Sequence, residues 1–234
     1  MNIILCGYHW SGCEALNYLL KKKNKVFVYT HKSRYFEPDL EEYCKDKKVK
    51  FSLKKISKSN LPFIPDLIIS ISYKYKIPDN VISISKFKPF NLHPSILPKY
   101  RGCSSITWAM VNGEKEVGFT YHYIENKFDS GNIILQKKMI VNSFDFQMTL
   151  YYRVMFESLK YIGDVIKLVK NNFKGRKQLG NGKYFKRGAP YNGKISSDWS
   201  NLKKKRFIKA MIFPPLPLAK YKNNFIKNFK EIKK

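Results

Sequence analysis

Asn91, His93 and Asp129 are the residues of this chain whose types and order suit group-transfer chemistry. Asn91 and His93 lie in Phe90-Asn91-Leu92-His93, which reads as a short strand ending at Pro94, because proline has no amide hydrogen for a continuing ladder. Residues two apart on a strand project from the same face. An amide donor beside an imidazole can stabilise an oxyanion while the imidazole moves a proton. Asp129, about 36 residues beyond His93, sits in the turn-like Phe128-Asp129-Ser130-Gly131. A carboxylate next to an imidazole holds one tautomer and stabilises its charged form. Taken singly, each residue has a plainer role: a structural histidine, a capping asparagine, a turn aspartate. His31 and His122 are read as structural histidines on that ground.

The elements that must position these groups follow from periodicity and punctuation. Residues 2–6 form an apolar run expected to be a first, central parallel strand. Ser11 with Glu14 gives a capping-box signature for a helix whose apolar face is Ala15, Leu16, Leu19 and Leu20. Residues 25–30 supply a second strand, completing a strand–helix–strand unit of the doubly wound kind. A helix is expected around 39–45, a short strand around 49–53, a buried β-branched strand over 65–73 and a short helix over 78–85. Residues 104–111 suit a helix, and 117–124 and 131–141 suit two consecutive strands flanking Asp129. Helical spacing from 145 to 173 predicts one long helix closed by Lys174-Gly175. Glycines and prolines then punctuate a tail of turns and hairpins. The expected fold is therefore α/β, a Rossmann-like, mostly parallel twisted sheet flanked by helices, with a catalytic domain over 1–178 and a small hairpin-containing subdomain over 179–234. The loop from Gly7 to Gly12 has neither the G-x-G-x-x-G spacing nor a Walker lysine, so neither nucleotide-binding loop is present.

Composition narrows the class. The chain is 44% hydrophobic and 15% aromatic, as expected of an ordered globular protein. No apolar run approaches the roughly 20 residues that span a bilayer, and the start of the chain reads as a strand rather than a secretion signal. Cys6, Cys13, Cys44 and Cys103 show no metal-ligand spacing, so reduced thiols in a cytoplasmic protein, with no bound metal, are expected. The net charge of +28 would suit a polyanion. Yet six of the 45 basic residues are arginine, and the lysines are spread along the whole chain. Dispersed lysine describes solvated faces better than it describes planar phosphate or base recognition, so the pattern argues against a nucleic-acid partner.

The blocks NLHPSILPKYRG (91–102), Trp108, NGEKEVGFT (112–120) and DSGNIILQ (129–136) resemble the superfamily of formyltransferases that use 10-formyltetrahydrofolate. The catalytic trio of that superfamily, Asn, His and Asp, falls on Asn91, His93 and Asp129. The resemblance implies a folate pocket walled by Ser72, Tyr73, Ile84, Phe90 and Asp129. Tyr8, His9 and Trp10 belong to an opening similar to that of the enzymes acting on nucleotide-linked 4-amino sugars, and would line the substrate side. Ser95, Arg101, Trp108 and Lys209 are the further substrate contacts it implies; Lys209 stands where relatives carry arginine, and Trp108 is a core aromatic or a pocket wall.

The implied function is N-formyl transfer to the amine of a dTDP- or UDP-linked amino sugar, of the kind used in lipopolysaccharide O-antigen, by a homodimer. Asn91 and protonated His93 would stabilise the oxyanion, and Asp129 would orient His93. Two other readings stand beside it. One is formyl transfer to methionyl-tRNA, which the charge favours, whereas the tail of about 60 residues after the long helix favours a small substrate. The other is a non-catalytic basic RNA-binding module, against which the complete trio argues.

Overall fold

The computed structural model describes residues 1–32 and 38–232. In chain order its strands and helices are β1 (Asn2–Gly7), α1 (His9–Lys21), β2 (Lys25–Tyr29), α2 (Leu40–Asp46), β3 (Phe51–Ser52), β4 (Leu67–Ile71), α3 (Asp79–Ile82), β5 (Phe90–His93), β6 (Arg101–Gly102) and α4 (Ser105–Asn112). They continue with β7 (Glu116–Tyr123), β8 (Ile133–Ile140), α5 (Gln147–Leu159), α6 (Ile162–Lys170), β9 (Tyr184–Phe185), α7 (Asn201–Ala210), β10 (Ala219–Tyr221) and β11 (Asn224–Ile226). Seven strands form one sheet in the order β3-β2-β1-β4-β5-β7-β8. The first five in that order pair in parallel, and β7 joins β5 antiparallel. The mostly parallel α/β sheet is the one expected, and β10–β11 form the small hairpin of the tail.

Burial explains which strands lie at the centre. Every residue of β4 is buried, and Ile3, Ile4, Leu5 and Cys6 of β1 are fully covered. Strands covered on both faces are continuous apolar runs rather than alternating ones. Below the sheet Ile4, Cys6, Tyr29, Ile68 and Val81 form one core cluster. Burial pushes the thiols of Cys13 and Cys44 up to about 12, and the thiol of Cys6 further still, so all three stay protonated at neutral pH.

Three local expectations need correction. Ser11 is not the cap of α1, because the helix begins at His9 with extended Tyr8 ahead of it; the Ser11 hydroxyl instead lies 3.1 Å from that of Ser72. Asp39 does cap α2, its carboxylate accepting the Glu41 amide at 3.0 Å. The single long helix is two, α5 and α6, interrupted at Tyr161, whose amide turns back to the Ser158 carbonyl. Gly163 follows that break and fits against the Tyr18 phenol, where an added β-carbon would come to 2.3 Å of the hydroxyl. The second helix ends at Lys170, before Lys174-Gly175.

The described chain forms two compact units: Met1–His93, Thr120–Leu135 and Ser158–Gln178 in one, and Pro94–Phe119, Gln136–Glu157 and Leu179–Lys234 in the other. The second unit thus takes in 94–119 and 136–157 as well as the tail. Within it, Trp108, Phe185, Tyr191, Trp199 and Phe207 make a chain of ring contacts, with Trp108 and Phe185 centroids 4.7 Å apart. No helix among the described residues is long and apolar enough to cross a membrane.

Candidate active site

The first unit contains Asn91, His93 and Asp129 together. Strand β5 presents the asparagine and histidine, and the antiparallel pairing of β5 with β7 sets Asn91 directly opposite His122. Asp129 reaches both imidazoles: its Oδ2 lies 3.6 Å from His93 Nδ1 and its Oδ1 lies 3.4 Å from His122 Nε2. Neither distance is that of a tight hydrogen bond. Catalytic contacts are often looser than this before substrate closes a site. His93 is 5% exposed and His122 is 2% exposed, so both interactions are sheltered from water.

His122 is the member that the sequence reading missed. Its Nδ1 lies 2.8 Å from the Tyr123 carbonyl, which can only accept, so the proton sits on Nδ1. In the neutral ring Nε2 is then an acceptor, and Asn91 Nδ2 approaches it at 3.1 Å. The Asn91 amide is thereby turned so that one N–H is spent on His122 and the other is left for a ligand. No sequence motif marks this residue. The usable signal was a histidine on a strand preceding the Asp129 turn, which gains meaning once the strand is paired with β5.

The loop bearing Asp129 is held by three devices. Asp129 has φ 53°, a left-handed conformation that is uncommon outside glycine, though aspartate tolerates it better than most. The Gln178 side-chain amide donates to the carbonyls of Asp129 and Gly131, each at 2.8 Å. Gly131 passes so close to β7 that an added β-carbon would stand 2.0 Å from the Tyr123 carbonyl oxygen. Ser130 closes the turn by donating to the Lys127 carbonyl at 2.9 Å. A cleft of about 500 Å³ in the same unit is lined by Asp79, Ile82, Ser83, Lys88, Ile124, Glu125, Asn126, Lys127 and Ser130.

The other candidate residues are distributed as follows. Ser72 leaves β4 with φ 60°, and Tyr73 follows it, its phenol oxygen accepting the Ile56 amide at 3.2 Å. Ile84 is half-buried after α3, and Phe90 is fully buried edge-on to Tyr121. Tyr8, His9 and Trp10 occupy the start of α1, with the Tyr8 ring stacked on His31 at 4.0 Å. Burial depresses the His9 imidazole to about 4, which keeps it neutral at physiological pH. Ser95, Arg101, Trp108 and Lys209 belong to the second unit. There the Ser95 hydroxyl donates to the Lys99 carbonyl at 2.7 Å, and the Lys209 ammonium donates to the Ser143 carbonyl at 2.6 Å. Arg101 pairs through β6 with β9, and Trp108 packs in the aromatic chain. Among the described residues there is no group of three or more His, Cys, Asp or Glu side chains placed to hold a metal ion.

The mostly parallel sheet thus brings an amide and an imidazole at the end of β5 against a turn carboxylate. The family profile described as formyl transferase matches residues 11–166, and the chain belongs to that family. It is similar to the GDP-perosamine N-formyltransferase of Brucella melitensis biotype 1, with 40% identity over 157 residues, 67% of this chain and 61% of that protein. A methionyl-tRNA formyltransferase of Thermodesulfovibrio yellowstonii is 34% identical over 179 residues, 75% of this chain and 56% of that protein. The matched stretch therefore spans roughly three-fifths of the curated relatives. Among solved structures, WlaRD, a sugar 3N-formyl transferase determined in the presence of dTDP and 5-N-formyl-THF, superposes with a TM-score of 0.82 at 25% identity, covering 97% of this chain and 85% of its own.

Proposed function

We propose that this protein transfers a formyl group from 10-formyltetrahydrofolate to the amine of a nucleotide-linked amino sugar. The observation that carries the reading is the junction of Asn91, His93, His122 and Asp129 in a sheltered site of a formyl transferase family member. The sugar class is supported by the 40% identity to a GDP-perosamine N-formyltransferase and by Tyr8, His9 and Trp10 at the head of α1. The nucleotide can accordingly be GDP as well as the dTDP or UDP expected from sequence.

The donor set fits this co-substrate, because the folate supplies a formyl carbon already activated toward attack and asks the protein for donors and a proton carrier. Asn91, anchored on one side by His122, directs its second N–H at the formyl oxygen as negative charge develops there. Loss of one such donor typically costs about 100- to 1,000-fold in rate. His93 faces Asp129 through Nδ1, which leaves Nε2 to take the proton from the attacking amine and pass it to the departing nitrogen. Asp129 holds the ring in that tautomer and offsets its charge. The cleft beside Ser130 offers Lys127 to the carboxylates of the folate tail, while Lys88 there is paired with Glu125 at 3.3 Å.

The test is folate release with 10-formyltetrahydrofolate against a panel of GDP-, dTDP- and UDP-linked amino sugars, with methionyl-tRNA alongside. Turnover on one sugar nucleotide, with tRNA inert, is the expected result. Turnover on tRNA alone would replace this reading by the second one, which the net charge of +28 and the 34% identity to a methionyl-tRNA formyltransferase favour.

A further inference from the structure

Strand β4 reads Leu67-Ile68-Ile69-Ser70-Ile71, and Ser70 is its one polar residue. The other four are fully buried, and a fifth apolar side chain would pack better on a strand covered on both faces than a hydroxyl does. Ser70 is itself 6% exposed, and its hydroxyl makes no hydrogen bond among the described residues. A buried hydroxyl is seldom left unpaired. Enclosed side-chain oxygens without a partner occur at Thr30 and Asp145 but not at Ser70, so the Ser70 hydroxyl keeps an opening through which a ligand atom can reach it. The sheet register fixes where that hydroxyl stands. Cys6, Ser70, Asn91 and His122 are paired in one row across β1, β4, β5 and β7, and the residues of such a row project from the same face. Ser70 therefore stands directly beside Asn91, on the side opposite His122.

His122 takes one Asn91 N–H on the β7 side, at 3.1 Å, and closes that flank of the amide. The β4 flank carries the unspent Ser70 hydroxyl. We infer that Ser70 is a second donor to the formyl oxygen, acting beside Asn91 as negative charge develops there. Adjacent strands lie about 4.8 Å apart and a hydrogen bond spans about 2.9 Å, so one acceptor atom over the gap between β4 and β5 is within reach of both donors. Developing oxyanions are stabilised by preorganised donors, and a second one adds to the first. The nearby Ser72 hydroxyl is not available for this, because it is engaged with that of Ser11 at 3.1 Å. As the amine's lone pair forms the new C–N bond, the carbonyl electron pair moves onto the formyl oxygen, and Ser70 shares its hydrogen with it. The pair returns when the bond to the departing folate nitrogen breaks, and Ser70 keeps its proton throughout. The inference rests on the proposed formyl transfer and adds a catalytic residue to it.

The test compares Ser70→Ala with the pair Ser70→Thr and Ser70→Val, which share a shape and differ in the hydroxyl. Turnover is followed by folate release with whichever acceptor the parent uses. Ser70→Ala should lower kcat by about 10- to 100-fold with KM little changed. Its thermal midpoint should stay near that of the parent, since no internal hydrogen bond is lost. Ser70→Thr should exceed Ser70→Val in kcat by at least about tenfold. Any overpacking by the extra methyl is common to that pair, so the difference isolates the hydroxyl. A kcat for Ser70→Ala within about twofold of the parent, or equal rates in the threonine and valine variants, would overturn the inference. A second readout needs no acceptor. In calorimetric titrations, Ser70→Ala should bind 10-formyltetrahydrofolate about threefold or more weakly than the parent does, and tetrahydrofolate equally well. Equal loss for both folates would place Ser70 in folate packing and overturn its role. If the parent binds the formylated folate but releases none on any acceptor, the functional reading fails, and an unchanged preference for the formylated form in Ser70→Ala then removes the Ser70 assignment as well. A parent that binds neither folate overturns both.

Discussion

The position of the Asp129 carboxylate depends on a residue far along the chain, Gln178, and this dependence can be measured. Gln178 donates two hydrogen bonds of 2.8 Å, one to the carbonyl of Asp129 and one to that of Gly131. Each is worth about 1 kcal/mol net, so Gln178→Ala should cost about 2 kcal/mol of stability. The bonds also hold Asp129 at φ 53°, a conformation that by itself costs on the order of 1 kcal/mol. Removing about 2 kcal/mol of restraint shifts the balance between held and relaxed loop by about 30-fold. A carboxylate displaced by an ångström no longer orients His93, and misplacement on that scale costs about 100-fold at most. Turnover in the folate-release assay should therefore fall by about 10- to 100-fold, with KM little changed, because the substrate-facing groups stay in place. Gln178→Glu sharpens the test. It keeps the shape but puts acceptor oxygens against two carbonyls, so it should be at least as damaging as alanine. If both variants turn over within about twofold of the parent, with the urea midpoint unmoved, the loop is held by something other than Gln178.

Three further outcomes are expected. His93→Ala and Asp129→Asn should each lower turnover by about 100-fold or more while the thermal midpoint stays near that of the parent, and more than about a tenth of parental activity in either would remove its assigned role. His122→Phe deletes the acceptor that turns Asn91, so kcat should drop by about tenfold at constant KM; steady-state kinetics showing a KM effect alone would place His122 in substrate binding instead. His9 links stability to pH. Its folded-state value of about 4 lies below the unfolded 6.5, so the unfolded chain binds the proton first and stability is lost as pH falls through that window. Between about pH 7.5 and pH 5 this amounts to about 2 kcal/mol, and His9→Asn, which tolerates the left-handed φ of 40°, should lack that increment in urea titrations at the two pH values. An identical pH slope in parent and variant would contradict it.

The sheet was legible because its central strands are nearly continuous apolar runs, which need little knowledge of their neighbours. Asn91 and His93 were legible for a related reason: period-two geometry on a strand ended by Pro94 puts both on one face. His122 was not. Its meaning comes from standing opposite Asn91, and cross-strand register is a property of two segments 31 residues apart. Gln178 is hidden still more deeply, since a glutamine in a lysine-rich stretch carries no local pattern. The break between α5 and α6 was missed because Tyr161 is neither proline nor glycine, and the helical spacing of apolar residues continues through it. The start of α1 was misplaced because Ser11 and Glu14 have the spacing of a capping box, whereas extended Tyr8 places the first turn earlier.

That one carboxylate stands between two imidazoles makes the Asp129 turn a shared support. The oxygen near His93 and the oxygen near His122 belong to the same planar group, so neither can move without the other. A displacement of the turn therefore reaches His93 directly, and Asn91 through His122. Two strands thus feel one hinge, and any change that tilts it disturbs both of them in a single step.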